Sequence, residues 1–179
     1  MQTAYTAFPS APRAGSLADL NEAIIVTRIS ESDIPFGRFV VIDADDLTTD
    51  NKGLPMVKLP AAATDVVNGD QYNKCEGIAV ATQSGQSDYG FAAEPDTSAA
   101  PAYLAGSPLN VIRHGIVWVY VEEAVTQSDV PCVRHTADGA KVPGNFNKTA
   151  DSNSVTLAGY ARFMTGTSGA GLAQLMIRL

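Results

Sequence analysis

Short segments rich in β-branched residues, separated by glycine- and proline-rich connections, constrain this chain more than any other feature. Residues 23–29, 37–43 and 77–82 all have this composition. Such side chains fit the half-buried surface of a sheet, and no stretch of convincing length carries an apolar stripe at helical spacing. The pattern predicts an all-β fold, namely a compact sandwich or barrel of short, mainly antiparallel strands joined by long loops.

The most apolar segment runs from Leu109 to Glu122. It is apolar on both alternations, which predicts either a strand covered on both faces or a strand with one face in a subunit contact. Within it, Trp118 would share a face with Ile116 and Tyr120. Further strands are predicted at residues 56–59, 130–135, 154–164 (with a bend at Gly159) and 173–179.

The chain divides into two unequal parts. Residues 1–20 contain Pro9 and Pro12 and show little periodicity, so we predict an extended N-terminal arm with at most one turn of helix at 17–21. Residues 21–179 are predicted to form a single β-rich domain. The region at about 84–105, rich in glycine, serine, alanine and aspartate, is predicted to be a long loop excursion.

Charge and hydropathy exclude several classes of partner. Asp and Glu number 19 against 12 Lys and Arg, which gives a formal net charge of -7, and the basic residues form no run. Affinity for nucleic acid depends on clustered basic residues, so we expect no nucleic-acid partner. No stretch approaches the ~18 apolar residues of a membrane helix, so we expect no membrane partner. The first residues do not have the pattern of a signal peptide, and Cys75 and Cys132 do not make a disulfide framework; both favour a reducing cytosol as the place of synthesis.

The motifs that could carry chemistry are all incomplete. Residues 166–171 have the glycine spacing of a phosphate loop but are followed by Leu172 instead of lysine. The acidic residues 43–50 miss the glycine and glutamate positions of a calcium loop. Two cysteines and two histidines, far apart in sequence, lack the close pairs of a zinc site. We therefore expect no catalytic residue, no metal and no cofactor, and a protein that is not an enzyme.

Three segments, in their order along the chain, resemble the tailed-bacteriophage capsid decoration proteins, also called structural cement proteins. They are residues 34–40 (IPFGRFV), residues 109–125 with the Gly115–Val119 run and an acidic ending, and residues 159–179. Residues 11–19 match the family's N-terminal segment more loosely, and the middle region around residues 84–105 departs from the family pattern.

The resemblance implies a non-enzymatic protein that binds the outside of the assembled shell and cements it. Its partners would be the major capsid protein of the same phage and further copies of itself, with a trimer preferred and a dimer as the alternative. It would be made in the bacterial host cytoplasm and reside on the outer surface of the virion capsid. The alternatives are a tail or baseplate component and a carbohydrate-binding β-sandwich.

Two sets of residues are predicted to make the contacts of such a protein. The core or subunit-interface anchors are expected to be the large aromatic residues Trp118, Tyr120, Phe36 and Phe163. The N-terminal arm carries apolar residues without a fold of its own, so we expect it to become ordered against a neighbouring capsid subunit. Its predicted contact residues are Thr3, Tyr5, Phe8, Leu17 and Leu20.

Overall fold

Strands make up almost all the regular structure of this protein. The computed structural model describes residues 12–43, 54–67, 74–81 and 102–179, and the side chains of residues 20–22 are not described. The strands are β1 (Leu17–Ser30), β2 (Ile34–Pro35), β3 (Phe39–Ile42), β4 (Met56–Lys58), β5 (Cys75–Ala79), β6 (Ala102–Tyr103), β7 (Pro108–Val121), β8 (Cys132–Arg134), β9 (Phe146–Asn147), β10 (Ser154–Thr156), β11 (Ala161–Phe163) and β12 (Gly171–Arg178). One short helix, α1 (Ala63–Val66), lies between β4 and β5. The predicted all-β fold is confirmed.

The long strand β7 organises the sheet. β1 pairs antiparallel along one edge of β7, with Ile25 opposite Ile112 and Leu17 opposite Val117. The other edge is shared, because β5 pairs with it at residues 111–112 and β12 pairs with it from residue 114 to residue 121. One strand therefore holds these three partners in place, and its last residue, Val121, also pairs with β9.

The first half of β7 belongs to a closed ring of strands. β1 pairs with β4 in parallel, β4 pairs with β3, β3 with β5, β5 with β7, and β7 pairs again with β1. This part of the molecule is a small barrel, one of the two architectures predicted from the sequence. Beyond it, β12 and β11 extend the sheet from the second half of β7, while β9, β8 and β10 continue from its end. Most pairings are antiparallel, as predicted.

Glycine is required where β5 crosses closest to β7. Gly77 has a φ of 143°, and a Cβ placed on it would lie 2.1 Å from the carbonyl oxygen of Ile112. No side chain fits at that distance, so the absence of one at position 77 lets the two backbones pair. The ring of strands depends on this approach, since the β5–β7 pairing is one of its links.

Two apolar clusters form the interior. The larger one contains Val117, Val119, Phe146, Leu175 and Ile177, all with 0% exposure, and extends to residues of β3, β5 and the first half of β7, namely Phe39, Val41, Cys75, Ile78 and Ile112. The second lies at the barrel and is formed by Ile34, Phe36, Val40, Val57, Ala79, Tyr103, Leu109 and Val111. In this second cluster, the rings of Phe36 and Tyr103 meet edge to face at 5.1 Å, and the Tyr103 hydroxyl donates a hydrogen bond to the Val80 carbonyl.

Two local predictions are wrong. The helical turn predicted at residues 17–21 is instead the start of β1, so the predicted boundary between arm and domain at residue 20 falls inside a strand. The single strand predicted at 154–164 is two strands, β10 and β11, separated by a turn in which Gly159 has a φ of 82°. Residues 84–101 of the predicted loop excursion lie outside the described residues, and part of its remainder forms β6.

A fully buried arginine joins the end of β7 to β8 and to the loop before β10. Arg134 has 0% exposure, and its Nε donates hydrogen bonds to both carboxylate oxygens of Glu122, at 2.9 and 2.7 Å. Its second terminal nitrogen donates to Asp151 at 3.1 Å. Burial raises the pKa of Glu122, and the hydrogen bond and charge of Arg134 oppose that rise. The three groups hold together segments that have few strand pairings between them.

Replacing this arginine should destabilise the fold strongly. We expect Arg134→Met to lower the free energy of unfolding by about 3 to 5 kcal/mol, because Glu122 would be left buried without its partner. The double variant Glu122→Gln with Arg134→Met should lose less, since no unpaired charge remains inside. Urea unfolding followed by circular dichroism measures both; equal losses in the two variants would contradict an ion pair as the cause.

Candidate interaction surface

Alternate residues of β7 point to two very different environments. Val117, Val119 and Val121 have 0% exposure and face the larger core cluster. The residues between them, among them Trp118 and Tyr120, are only half-buried on the opposite side of the sheet. Because strand side chains alternate with a period of two, this second side is a continuous surface.

The neighbouring strand β12 widens this surface with a second row of side chains. Tyr120 lies opposite Leu172, Trp118 opposite Gln174, and Ile116 opposite Met176. Directly opposed residues in an antiparallel pair lie on the same side, so the two rows form one patch. We call it the outer face, and it consists of Ile116, Trp118, Tyr120, Leu172, Gln174 and Met176, all of them half-buried.

The backbone beneath the outer face is held on both edges of β7. On one side β12 pairs with it, and on the other Gly15 donates a hydrogen bond to the Trp118 carbonyl at 2.7 Å while the Trp118 amide donates to Ser16 at 2.9 Å. Further along β1, Ile24 and Ile25 are 57% and 40% exposed. A rigid backbone thus presents an apolar and aromatic surface, which is the composition typical of a contact between proteins.

A cleft opens at one corner of the outer face. It has a volume of about 510 Å³ and lies between residues 127–131, the turn at 158–160 and the ends of β11 and β12. Met176 of the outer face lines it, together with Arg162 and Arg178. Arg162 lies opposite Met176 in the β11–β12 pair, so both belong to the same side of the sheet.

The predicted anchors divide into two groups. Phe36 and Phe163 lie in the core, with 5% and 0% exposure. Trp118 and Tyr120 lie on the outer face instead of in the core. For these two residues, a place in a contact between subunits stays a prediction.

Most of the predicted arm residues belong to the part of the chain that the structure does not describe. Thr3, Tyr5 and Phe8 are outside the described residues, and Leu20 belongs to β1 with an undescribed side chain. Leu17 also belongs to β1 and is partly buried against the larger core cluster, so it is a fixed part of the domain.

The groups considered for chemistry are dispersed in the fold. Cys75 and Cys132 are buried, and burial raises the pKa of the Cys75 thiol to about 12. His135 is buried beside Thr136, whose hydroxyl lies 2.8 Å from its Nδ1, whereas His114 is half-buried on β7. Within the described ranges, no group of three or more His, Cys, Asp or Glu residues could hold a metal ion. The same ranges contain no helix of the length and apolarity that would span a bilayer.

The known proteins that resemble this chain match it over most or nearly all of its length. A family model described as "Structural cement protein (E217 gp24/Pam3 gp6)" matches residues 1–178. A chain from "The capsid of Myoviridae Phage XM1" has a TM-score of 0.62 at 16% identity, covering 99% of this chain and 97% of that one, which shows a shared fold. A chain from the head fiber gp8.5 N base of bacteriophage phi29 has a TM-score of 0.40 at 12% identity, covering 87% and 94%, which is too low to carry an argument. No curated protein sequence matches significantly.

The two environments of the aromatic anchors lead to different stability effects. Phe163→Ala should lower the free energy of unfolding by about 3 to 5 kcal/mol, because it opens a cavity in the core. Trp118→Ala should cost only about 1 to 2 kcal/mol, because half-buried surface loses less on truncation. Urea unfolding at matched protein concentrations compares the two; a loss for Trp118→Ala as large as that for Phe163→Ala would place the indole in the core.

Proposed function

The chain belongs to the structural cement protein family of bacteriophages and is a virion structural protein, and from that premise we propose that it binds the outer surface of the assembled capsid lattice and stabilises it without catalysing a reaction. The observation that carries this proposal is the family match over residues 1–178, which leaves almost none of the chain outside the resemblance. The fold shared with a chain from a phage capsid supports it.

Binding to a lattice allows contact surfaces that are weak one by one to give strong attachment together. An oligomer that touches several shell subunits makes its later contacts at high effective concentration, so weak single contacts add up to strong attachment. A protein that binds only the assembled lattice stabilises that lattice by mass action. The net charge of -7 would keep an exterior protein from adhering to nucleic acid.

The outer face suits a contact between copies of the chain. Trp118 and Tyr120 present large rings on a rigid pair of strands, and aromatic residues are enriched at the centres of protein interfaces. We therefore assign to this face the association of copies into a trimer, with a dimer as the alternative. The major capsid protein is then contacted by other parts of the chain.

The N-terminal segment remains a candidate for one of those capsid contacts, with a revised boundary. Residues 15–20 pair with β7 or belong to β1, so they are part of the domain and cannot also reach away from it. The proposed capsid-contacting arm is therefore limited to residues 1–11, which contain Thr3, Tyr5 and Phe8.

Purified protein should bind undecorated heads in a saturable manner. We expect a fixed ratio to the major capsid protein and a higher temperature of head disruption after binding, because the bound state stabilises the lattice. Co-sedimentation and calorimetry of empty heads measure these two quantities. A tail or baseplate component, or a carbohydrate-binding domain, would leave the heads unbound.

Removing residues 1–11 should weaken head binding and leave the fold unchanged. The truncation keeps Gly15 and Ser16, whose backbone hydrogen bonds to Trp118 hold the start of β1. Circular dichroism and urea unfolding should match the full chain, while co-sedimentation with heads should require more protein. Unchanged head binding by the folded, truncated chain would rule out the arm as a capsid contact.

A further inference from the structure

The cleft at the corner of the outer face is lined by both apolar and charged side chains. Met176, Ala161 and Pro131 contribute apolar surface, and Val130 at its edge is 47% exposed. Arg162 is the central residue of β11 and Arg178 is the last residue of β12, and both side chains are exposed. Such a cleft fits a side chain or segment that has both an apolar stem and an anionic group.

The polar groups of the loop that borders the cleft are already engaged within the chain. One carboxylate oxygen of Asp129 accepts hydrogen bonds from the amide of Thr126 at 2.7 Å and from its hydroxyl at 2.9 Å. Lys148 lies 3.7 Å from the same oxygen. Gln127 donates to the Met164 carbonyl, and the Ser128 hydroxyl lies 2.9 Å from that of Thr126. The polar groups of this loop are therefore poorly placed to bind a cation, because most of them already have partners within the chain.

The two arginines that line the cleft differ from this loop, because their side chains are not engaged within the described part of the chain. Among the described residues, neither Arg162 nor Arg178 makes a side-chain hydrogen bond or ion pair, whereas Arg28 and Arg134 are each paired with a carboxylate. They share one side of the sheet, because Arg162 lies opposite Met176 and Arg178 follows two residues later on the same strand. Two arginines at neighbouring positions, without partners among the described residues, are suited to bind an anion, since each guanidinium group can donate two parallel hydrogen bonds to a carboxylate or phosphate.

The charge of the whole chain narrows the source of that anion. At a net charge of -7, the molecule repels polyphosphates at long range, which disfavours nucleic acid. A second copy of the chain is already assigned to the neighbouring outer face. This leaves a carboxylate on a shell subunit, which needs only local complementarity to the two arginines, as the occupant of the cleft.

We propose that the cleft between Arg162 and Arg178 is a docking site for a carboxylate-bearing segment of a capsid shell subunit, an inference that rests on the proposed attachment to the capsid. The guanidinium groups would bind the carboxylate, and Met176 and Val130 would cover the apolar part of the segment. The rest of the outer face, without Met176, stays available to sibling chains, so one side of the sheet would serve both contacts.

Titration onto empty, undecorated heads tests this site, and empty heads contain no DNA that could supply phosphate. The test variant is Arg162→Gln with Arg178→Gln, and a second variant, Arg162→Lys with Arg178→Lys, keeps the charge but not the forked donors. The control is Lys74→Gln with Lys141→Gln, which removes the same charge elsewhere on the surface. We expect the test variant to bind about tenfold more weakly or worse, the lysine variant to lie between it and wild type, and the control to bind within about twofold of wild type.

The remaining outcomes separate the failure of this site from the failure of the proposed function. If the wild-type chain does not bind heads, the proposed function and the cleft assignment both fall. If the wild-type chain binds and the test variant binds equally well, or the control loses as much affinity, the cleft assignment alone falls. If sedimentation of the free protein shows that the test variant has lost self-association, a second copy fills the cleft and the assignment to the shell is wrong.

Discussion

The structure depends on the backbone pairing of a single strand, β7, along its full 14 residues. A strand has two hydrogen-bonding edges, and here one edge is given to β1 while the other passes from β5 to β12. The change of partner occurs near Gly115, whose φ of 131° lies in the region that favours glycine. One half of β7 thereby closes a barrel, and the other half supports the sheet whose outer face is exposed.

This division lets the same strand stabilise the core and present the face to which we assign association. Its valines at 117, 119 and 121 fill the core, so the strand cannot shift its register by one residue without exposing them. The register in turn fixes Trp118 and Tyr120 on the far side, opposite Gln174 and Leu172. An aromatic surface built on such a strand is presented in one geometry, which lowers the entropy cost of binding a partner.

The sequence predicted the elements better than their connections. Segments with dense β-branched residues, such as 23–29 and 109–122, are strands as predicted. The segment 109–122 is apolar on both sides of the strand, which predicts that both sides are covered, either by the core or by another subunit. The strands β2, β6 and β9 have two residues each, too few for any periodicity to show. The closing of the ring through β1 and β7 joins segments about 80 to 100 residues apart, and no local pattern encodes it. At Gly159 the sequence predicts a bend where the structure has a turn, because a strand with a kink and two strands with a turn have the same composition.

The arginine cleft could not be found from sequence for a related reason. Arg162 and Arg178 stand alone among apolar and small residues, so neither forms a basic cluster along the chain. Their juxtaposition arises because β11 folds back antiparallel on β12, and their lack of partners among the described residues is visible only in the three-dimensional structure. Glu122 and Glu76 are buried against Arg134 and Arg28, and Asp129 is bound to its own loop. In an acidic protein with this many carboxylates, leaving two adjacent guanidinium groups exposed beside an apolar cleft preserves a local positive site that a partner with the opposite charge can recognise.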